Sequence, residues 1–134
     1  MFYKIFISKK NKKIFTIANG EYNSYDVFKL VDIVITSTDY NPYFSILIDI
    51  TEVTYLSNLP DFIGLSKKLS KMNMYFKGKI VFVVKNIFLY RLFRLASKYS
   101  ISRGIKVRIF IDYDDAHNWF CDKRMEPRDD TLIS

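Results

Sequence analysis

Several polar side chains that could take part in chemistry lie in and just after the apolar segment SILIDI, residues 45–50. They are Asp49, Thr51, Thr54, Ser57 and Asn58. An aspartate at the end of a buried strand is a candidate general base, because ligands of open α/β sheets gather beyond the carboxyl ends of the strands. The alternative is structural: the Asp49 carboxylate accepts backbone N–H bonds in a loop that we expect to follow. We favour the structural role because no His, Lys or Ser motif accompanies this aspartate, and we treat the five residues as binding-loop candidates.

The other reactive side chains are isolated in the sequence. His117 is the single histidine, and Cys121 is the single cysteine. A lone histidine in mid-helix is typical of a surface or boundary position, since a metal site needs several ligands at suitable spacing. Cys121 has no second cysteine to pair with and is expected to be a thiol at a helix end. The four glycines are scattered and form no phosphate-binding loop. We therefore predict neither an enzyme, nor a metal site, nor a cofactor.

The basic residues are concentrated in the middle of the chain, which has 134 residues and a formal charge of +7. Residues 62–111 contain twelve lysines and arginines and no acid. The bases recur at helical spacing as two stripes, one of Lys67, Lys68 and Lys71 and one of Arg91, Arg94 and Lys98. These stripes are candidate basic faces for an acidic protein, an anionic membrane or nucleic acid. The alternative is a solvated surface, because the codon bias of an AT-rich genome would also produce such an excess.

Alternating and periodic apolar positions predict an α/β fold. The N-terminal residues read as two strands around the polar tip SKKNKK. Helices are predicted after Asn23, Asn58 and Asp112, because each of these residues has an acid three positions later, as in a capping box. For the first of them a strand is the alternative, since VDIVIT is β-branched. Residues 46–50 and 80–84 are predicted central strands, and residues 107–111 a strand nearer a sheet edge.

The predicted helices are amphipathic, with inward faces that the spacing of their apolar residues indicates. The inward residues are Val27, Leu30, Val31 and Val34 in the first helix, Phe62, Leu65, Leu69, Met72 and Phe76 in the second, Phe88, Leu92, Leu95 and Tyr99 in the third, and Ala116, Trp119 and Phe120 in the fourth. The order β-β-α-β-α-β-α-β-α then predicts a small single-domain α/β sandwich. Its central sheet has four or five mostly parallel strands, with an N-terminal hairpin and four helices. We place the domain at 1–121 and a polar tail at 122–134.

The compartment is indicated by three absences in the sequence. No apolar run reaches the roughly 20 residues that span a bilayer. The basic residues near the N-terminus follow the apolar ones, which is the reverse of a secretory signal. A single cysteine cannot form an internal disulfide, which suits a reducing compartment. We expect a cytoplasmic protein without a transmembrane segment.

Two segments carry the pattern of a known family. ILIDITEVTYLSN resembles the strand, loop and helix start of the anti-sigma-factor-antagonist (STAS) domain. A resemblance to the SpoIIAA-like branch of that superfamily is found in LYRLFRLASKYSISRGIKVRIFIDYDDAHNWF. That branch has a helix with aromatic residues and an arginine, then a strand preceded by glycine, and then a helix with the pattern Ala-x-x-Trp. The resemblance extends over residues 20–120 and implies a bacterial α/β regulatory fold.

The resemblance also implies a function, which is protein–protein regulation or the binding of a small apolar or lipid-like ligand. In STAS antagonists a serine at a helix start is phosphorylated. When Asp49, Thr51 and Val53 are matched to the STAS pattern, this serine position falls on Asn58, which cannot be phosphorylated. The hydroxyls nearby are those of Ser57, Thr51 and Thr54.

Our leading hypothesis is therefore a non-catalytic STAS-like regulatory or interaction module that binds a protein partner or, as a homodimer, itself. The alternative is a carrier of a small apolar or lipid-like ligand at an anionic membrane surface. Nucleic-acid binding is disfavoured because the sequence contains no motif of that class.

Overall fold

The computed structural model describes residues 2–36, 43–55, 62–100 and 107–122. The order of its elements is the predicted one. The strands are β1 Phe2–Ser8, β2 Lys13–Tyr22, β3 Ser45–Tyr55, β4 Ile80–Val83 and β5 Val107–Phe110. The helices are α1 Ser24–Thr36, α2 Phe62–Tyr75, α3 Ile87–Ser100 and α4 Tyr113–Phe120. Within this described part of the chain, no helix is long and apolar enough to cross a membrane.

All five strands form one sheet in the order β1-β2-β3-β4-β5. β1 is antiparallel to β2, whereas β2, β3, β4 and β5 are parallel to one another. This arrangement confirms the mostly parallel sheet, the antiparallel hairpin at one edge and the last strand at the other. From β2 to β5, each strand is added to the sheet on the same side of the strand before it. Because crossovers between parallel strands are right-handed, the connecting helices α1, α2 and α3 all lie on one face of the sheet.

The larger core lies between the sheet and these three helices. In α1 the buried residues are Val27, Leu30, Val31 and Val34, and in α2 they are Leu65, Leu69 and Met72, followed by Phe76 just beyond the helix. At the start of α1, the Asn23 N–H donates to Asp26 Oδ2 at 3.0 Å, and the Asp26 N–H donates to Asn23 Oδ1 at 2.9 Å. The predicted capping box and inward face of α1 are thus confirmed, and segment 24–36 is a helix rather than a strand. Four of the five predicted inward residues of the second helix are confirmed as well, while the side chain of Phe62 lies outside the described residues.

The inward face of α3 differs from the predicted one. Leu89, Phe93 and Ala96 are buried, whereas Phe88 is 66% exposed and Leu95 is 49% exposed. The prediction that Phe88 and Leu95 face the core is therefore wrong. The reason is that α3 carries two apolar stripes at helical spacing, and only contact with the sheet and with α2 selects between them. Ala96 lies on the buried stripe, where a small side chain lets the helix approach the sheet closely. The predicted inward Leu92 is half-buried against the core, and the side chain of Tyr99 lies outside the described residues.

The opposite face of the sheet is covered, among the described elements, by α4. Asp112 caps this helix as predicted, because its Oδ1 accepts the Asp114 N–H at 2.8 Å and the Asp115 N–H at 3.4 Å. Ala116 and Phe120 are fully buried against the aliphatic side chains of β3 and β4. Trp119, half-buried, completes the predicted inward side of α4.

A buried lysine attaches the C-terminal end of α4 to the sheet. Lys79 directly precedes β4 and is only 4% exposed. Its Nζ donates to the Trp119 carbonyl at 2.8 Å and to the Asp122 carbonyl at 2.6 Å, and it lies 5.3 Å from the centroid of the Trp119 ring. The last carbonyls of a helix lack intrahelical donors, and a cation there also complements the helix dipole. The Lys79 ammonium therefore holds α4 in place through both its end and its aromatic side chain.

We expect Lys79→Met to lower the free energy of unfolding by about 1.5–3 kcal/mol, because hydrogen bonds that involve a charged donor are lost while the aliphatic stem remains. Urea unfolding followed by fluorescence measures this, since Trp119 is the single tryptophan. The matched control is Lys85→Met, which removes an exposed lysine just after β4. Equal stabilities of the two variants would contradict the role of Lys79.

A hydroxyl inside the larger core has no hydrogen-bond partner. Thr16 is fully buried in β2 between two positions that face the helices, and its Oγ1 makes no hydrogen bond. An unpaired buried hydroxyl costs stability. We expect Thr16→Val to raise the free energy of unfolding by about 1 kcal/mol, whereas Thr54→Val, at an exposed position, should change it little. Chemical denaturation measures both changes, and a destabilised Thr16→Val variant would refute the assignment.

Candidate functional site

The predicted binding loop after Asp49 is in large part a strand. Asp49, Thr51 and Thr54 all lie within β3, which continues to Tyr55. The loop prediction is therefore wrong for residues 51–55. The physical reason is that β2 is long enough to pair with β3 as far as Tyr22 opposite Tyr55, whereas β4 ends at Val83, level with Asp49. Ser57 and Asn58, the two remaining candidates, lie outside the described residues, as does the predicted helix start at Asn58.

A bulge in β3 determines what the Asp49 carboxylate does. Ile17 pairs with Asp49 and Asn19 with Glu52, so two residues of β3 oppose the single Ala18 of β2. Asp49 Oδ1 accepts the Thr51 N–H at 2.9 Å and the Thr51 hydroxyl at 2.7 Å. The predicted bond from a backbone N–H to Asp49 is thus present, although in a bulged strand instead of a loop. The Thr51 hydroxyl is engaged in the same contact, while Thr54 is exposed.

Tyr113 lies near this aspartate and belongs to a row of aromatic rings that ends at a thiol. His117 is stacked between Phe15 and Tyr113, with ring centroids 6.4 and 5.9 Å away, and its Nε2 lies 3.6 Å from Cys121 Sγ. Burial raises the pKa of the Tyr113 hydroxyl, and the negative charge of Asp49 raises it further. His117 is exposed and Cys121 forms the C-cap of α4, as predicted for each. Within the described residues, no three His, Cys, Asp or Glu side chains form a group that could hold a metal ion.

The basic stripe of α2 is partly neutralised by α1. Lys68 Nζ donates to both carboxylate oxygens of Asp32, at 3.0 and 2.9 Å, and Lys71 Nζ lies 3.5 Å from the same carboxylate. Lys67, in contrast, is exposed on the outward side of the helix. The pairing with Asp32 was not predicted, because Asp32 and Lys68 are 36 positions apart and nothing in their local spacing indicates contact. Of the three lysines, Lys67 and the more exposed Lys71 are best placed for binding.

The basic stripe of α3 remains on the surface. Arg91, Arg94 and Lys98 are all exposed. Arg94 Nη1 donates to the Tyr90 hydroxyl at 3.3 Å, and the guanidinium lies 5.9 Å from the centroid of that ring. Arg94 and Lys98 also border a shallow groove against β5. Because α2 and α3 pack side by side, their outward residues form one continuous surface.

Exposed apolar side chains lie on the same surface as these cations. On α2, Ile63 is 63% exposed and Met74 is 85% exposed, and on α3 the misassigned Phe88 and Leu95 point outward. An open depression of about 780 Å³ runs along α2, with Ile63, Lys67 and Met74 in its wall. We call the outward residues of α2 and α3 the helical basic surface; its members are Ile63, Lys67, Lys71, Met74, Phe88, Arg91, Arg94, Leu95 and Lys98.

Solved structures with a similar fold were found by comparison. An uncharacterised protein of the DUF3478 family from Shewanella loihica PV-4, described as having a SpoIIAA-like fold, is 22% identical; the match covers 89% of this chain and 94% of that one, with a TM-score of 0.55. An anti-sigma factor antagonist from Mycobacterium paratuberculosis is 17% identical; the match covers 90% of this chain and 96% of that one, also with a TM-score of 0.55. The chain has a SpoIIAA-like fold. No protein-family model matches its sequence, and no curated protein does either.

The SpoIIAA-like fold confirms the resemblance inferred from the sequence and the predicted fold class. At such low identities the likeness concerns the fold alone, so the site residues stay predictions. The same holds for the domain boundary at residue 121 and for the tail 122–134, of which only Asp122 is described.

We expect the contact between Asp32 and Lys68 to make stability depend on pH. The hydrogen bond from Lys68 lowers the pKa of Asp32 below its ordinary value of 3.8, with burial acting in the opposite direction. A lowered pKa stabilises the folded state above the unfolded value and loses that effect as the pH falls through the folded value. The difference in unfolding free energy between wild type and Asp32→Asn should be constant above about pH 5 and shrink below about pH 4. A pH-independent difference, measured by urea unfolding, would contradict this.

Proposed function

We propose that this protein is a non-catalytic interaction module that binds an acidic protein partner through the helical basic surface. The observation that carries the proposal is the combination on one surface of cations with exposed apolar side chains. Lys67 and Arg91 stand beside Ile63, Phe88 and Leu95. Residues 62–111 contain no acid, and the Asp32 carboxylate beside Lys71 is held by Lys68. Such a surface favours a partner that presents both carboxylates and apolar side chains.

The exposed apolar residues favour a protein over nucleic acid as the partner. Contacts to a phosphate backbone are made by cations and polar groups, and they would leave Phe88 and Leu95 in water. A protein helix or loop with an apolar stripe flanked by Asp and Glu would cover these side chains and neutralise the cations together. An anionic membrane is the alternative that the experiment below also addresses.

The geometry gives less support to a carrier of a lipid-like ligand. A carried ligand needs a pocket that removes most of its surface from water. The depression along α2 is open to solvent, and the residues that line it lie on the outer side of the helix rather than between the helix and the sheet. We therefore retain partner binding as the proposed function.

Two further observations are consistent with a non-catalytic interaction module. The Mycobacterium paratuberculosis protein of similar fold is named an anti-sigma factor antagonist, which is a role exerted on another protein. In this chain, the Asp49 carboxylate is bonded within its own strand by Thr51, and this use favours a structural role over proton transfer. A cytoplasmic location stays a prediction.

The proposal is tested by charge reversal with a matched control. The helical variant, Lys67→Glu with Arg91→Glu, reverses two charges on the helical basic surface. The hairpin variant, Lys9→Glu with Lys10→Glu, reverses two charges at the exposed tip of the hairpin between β1 and β2. A partner captured from a lysate of the source cells by wild type is identified, purified and titrated calorimetrically against all three proteins. We expect the helical variant to bind about tenfold or more weakly, the hairpin variant to bind like wild type, and added salt to weaken wild-type binding.

Three outcomes would contradict the proposal. Equal weakening by both double variants would indicate an unspecific effect of net charge. Salt-sensitive binding of wild type to duplex DNA or RNA, lost in the helical variant, would assign the surface to nucleic acid. Binding to phosphatidylglycerol vesicles but not to phosphatidylcholine vesicles, with no protein partner, would assign it to a membrane.

A further inference from the structure

The two edges of the sheet differ in how well they are protected against pairing with another strand. β5 has four residues and carries Arg108, whose guanidinium lies 5.4 Å from the centroid of the Phe110 ring and 5.1 Å from that of Trp119. A short edge strand with a charged residue is a common form of protection. β1 has seven residues, contains no proline and pairs with β2 in an unbroken register. Lys4 is its single charged residue.

Apolar side chains are exposed on both sides of β1. On the side shared with α4, Phe2 is 72% exposed and Phe6 is 53% exposed; on the side shared with α1, Tyr3 is 40% exposed and Ile7 is 45% exposed. Among the described strands β1 has one neighbour, so alternate N–H and C=O groups face away from the sheet. Here the backbone groups and the side chains both favour the addition of a strand.

We propose that β1 is a dimerisation edge, where a second copy of this chain pairs antiparallel with it about a two-fold axis at Ile5. In this register Ile5 lies opposite Ile5 of the partner, Tyr3 opposite Ile7, Lys4 opposite Phe6, and Phe2 opposite Ser8. All seven residues of β1 are then paired. An axis at Lys4 would place two ammonium groups directly opposite each other, which is unfavourable, and an axis at Phe6 would leave Phe2 and Tyr3 without a partner.

The side chains on both faces suit this register. On the α1 side, each Tyr3 lies opposite an Ile7, which is a stabilising pair of an aromatic and a β-branched residue. On the α4 side, each Lys4 lies opposite a Phe6, where its ammonium can reach the ring face of the partner. A depression of about 740 Å³ bordered by Phe2, Lys4, Phe6 and Ile17 opens beside the edge. The partner's Phe6 and Lys4 reach into it and add the side-chain contact area that a strand pair alone lacks.

The proposed contact closes at two copies. A two-fold contact uses the same edge of both chains, so the joined sheet has ten strands and ends at each side with the protected β5. The edge also lies away from the helical basic surface, on the strand farthest from β5 in the sheet order. Dimer formation and partner binding are therefore independent, and salt distinguishes them: it screens the repulsion between two chains of charge +7 and favours the dimer, whereas it weakens the binding of an acidic partner.

Light scattering after size exclusion tests the proposal with wild-type protein across a concentration series. We expect a mass that rises from 15.9 kDa towards twice that value. In the dilysine variant, Tyr3→Lys with Ile7→Lys, the lysine at position 3 of each chain would lie opposite the lysine at position 7 of the other. Because the two like-charged pairs repel, this variant should remain a monomer. The matched control, Ile63→Lys with Met74→Lys, adds the same two charges at exposed positions of α2 and should dimerise like wild type. Circular dichroism establishes that each variant is folded.

A mixing experiment tests the register itself. Tyr3→Glu with Ile7→Glu should also be monomeric alone, but mixed with the dilysine variant it should form a heterodimer, because each introduced lysine then meets an introduced glutamate. If the wild-type protein remains monomeric at every concentration, the proposal is overturned, and β1 would then be free to pair only with a strand of a different protein. A dimer that survives in the dilysine variant, or a mixture that remains monomeric, overturns it as well. None of these results affects the charge-reversal test of the helical basic surface.

Discussion

The order in which the strands enter the sheet is the constraint on which the rest of this structure depends. β2, β3, β4 and β5 are added in one direction, and crossovers of one hand then place α1, α2 and α3 on the same face. The other face is left to whatever follows β5, and in the described residues that is α4. An eight-residue helix cannot cover a five-stranded sheet. Among the described elements, the uneven covering of the two faces therefore follows from topology and does not reflect a shortage of apolar residues.

This topology explains why two long-range polar contacts matter. α4 follows β5, and within the described residues no later strand holds the helix to the sheet. Lys79 attaches it there by donating to the carbonyls at its C-terminal end. α1 and α2 are neighbours in the helical layer, and Asp32 joins them through Lys68. The first contact is buried and the second is half-exposed, so the first contributes more to stability. In both contacts a lysine of this positively charged chain binds a specific oxygen acceptor, a main-chain carbonyl in the first and a carboxylate in the second.

The same topology separates the two surfaces that we propose for binding. The helical basic surface lies on the outer side of the helical layer, where apolar and cationic residues are in excess of what the core uses. The dimerisation edge lies at β1, beyond which no further strand of the described chain is placed. Phe88 and Leu95 on α3, and Phe2 and Phe6 on β1, are exposed because the elements that carry them have a second apolar side. Exposed clusters of apolar side chains commonly mark interaction sites, which is why we propose that both surfaces bind another molecule.

The sequence by itself determined the features that depend on neighbours along the chain. The capping box at Asn23 and Asp26, the cap at Asp112, the periods of helices and strands, and the edge positions of the first and last strands all follow from local patterns. Tertiary structure alone decided which stripe of α3 faces inward, how far β3 extends beyond Asp49, and which acid pairs with Lys68. These depend on residues distant in sequence: the sheet beneath α3, the length of β2, and the position of α1. A pattern of apolar residues shows that a face can be buried, but only the element packed against it decides whether it is.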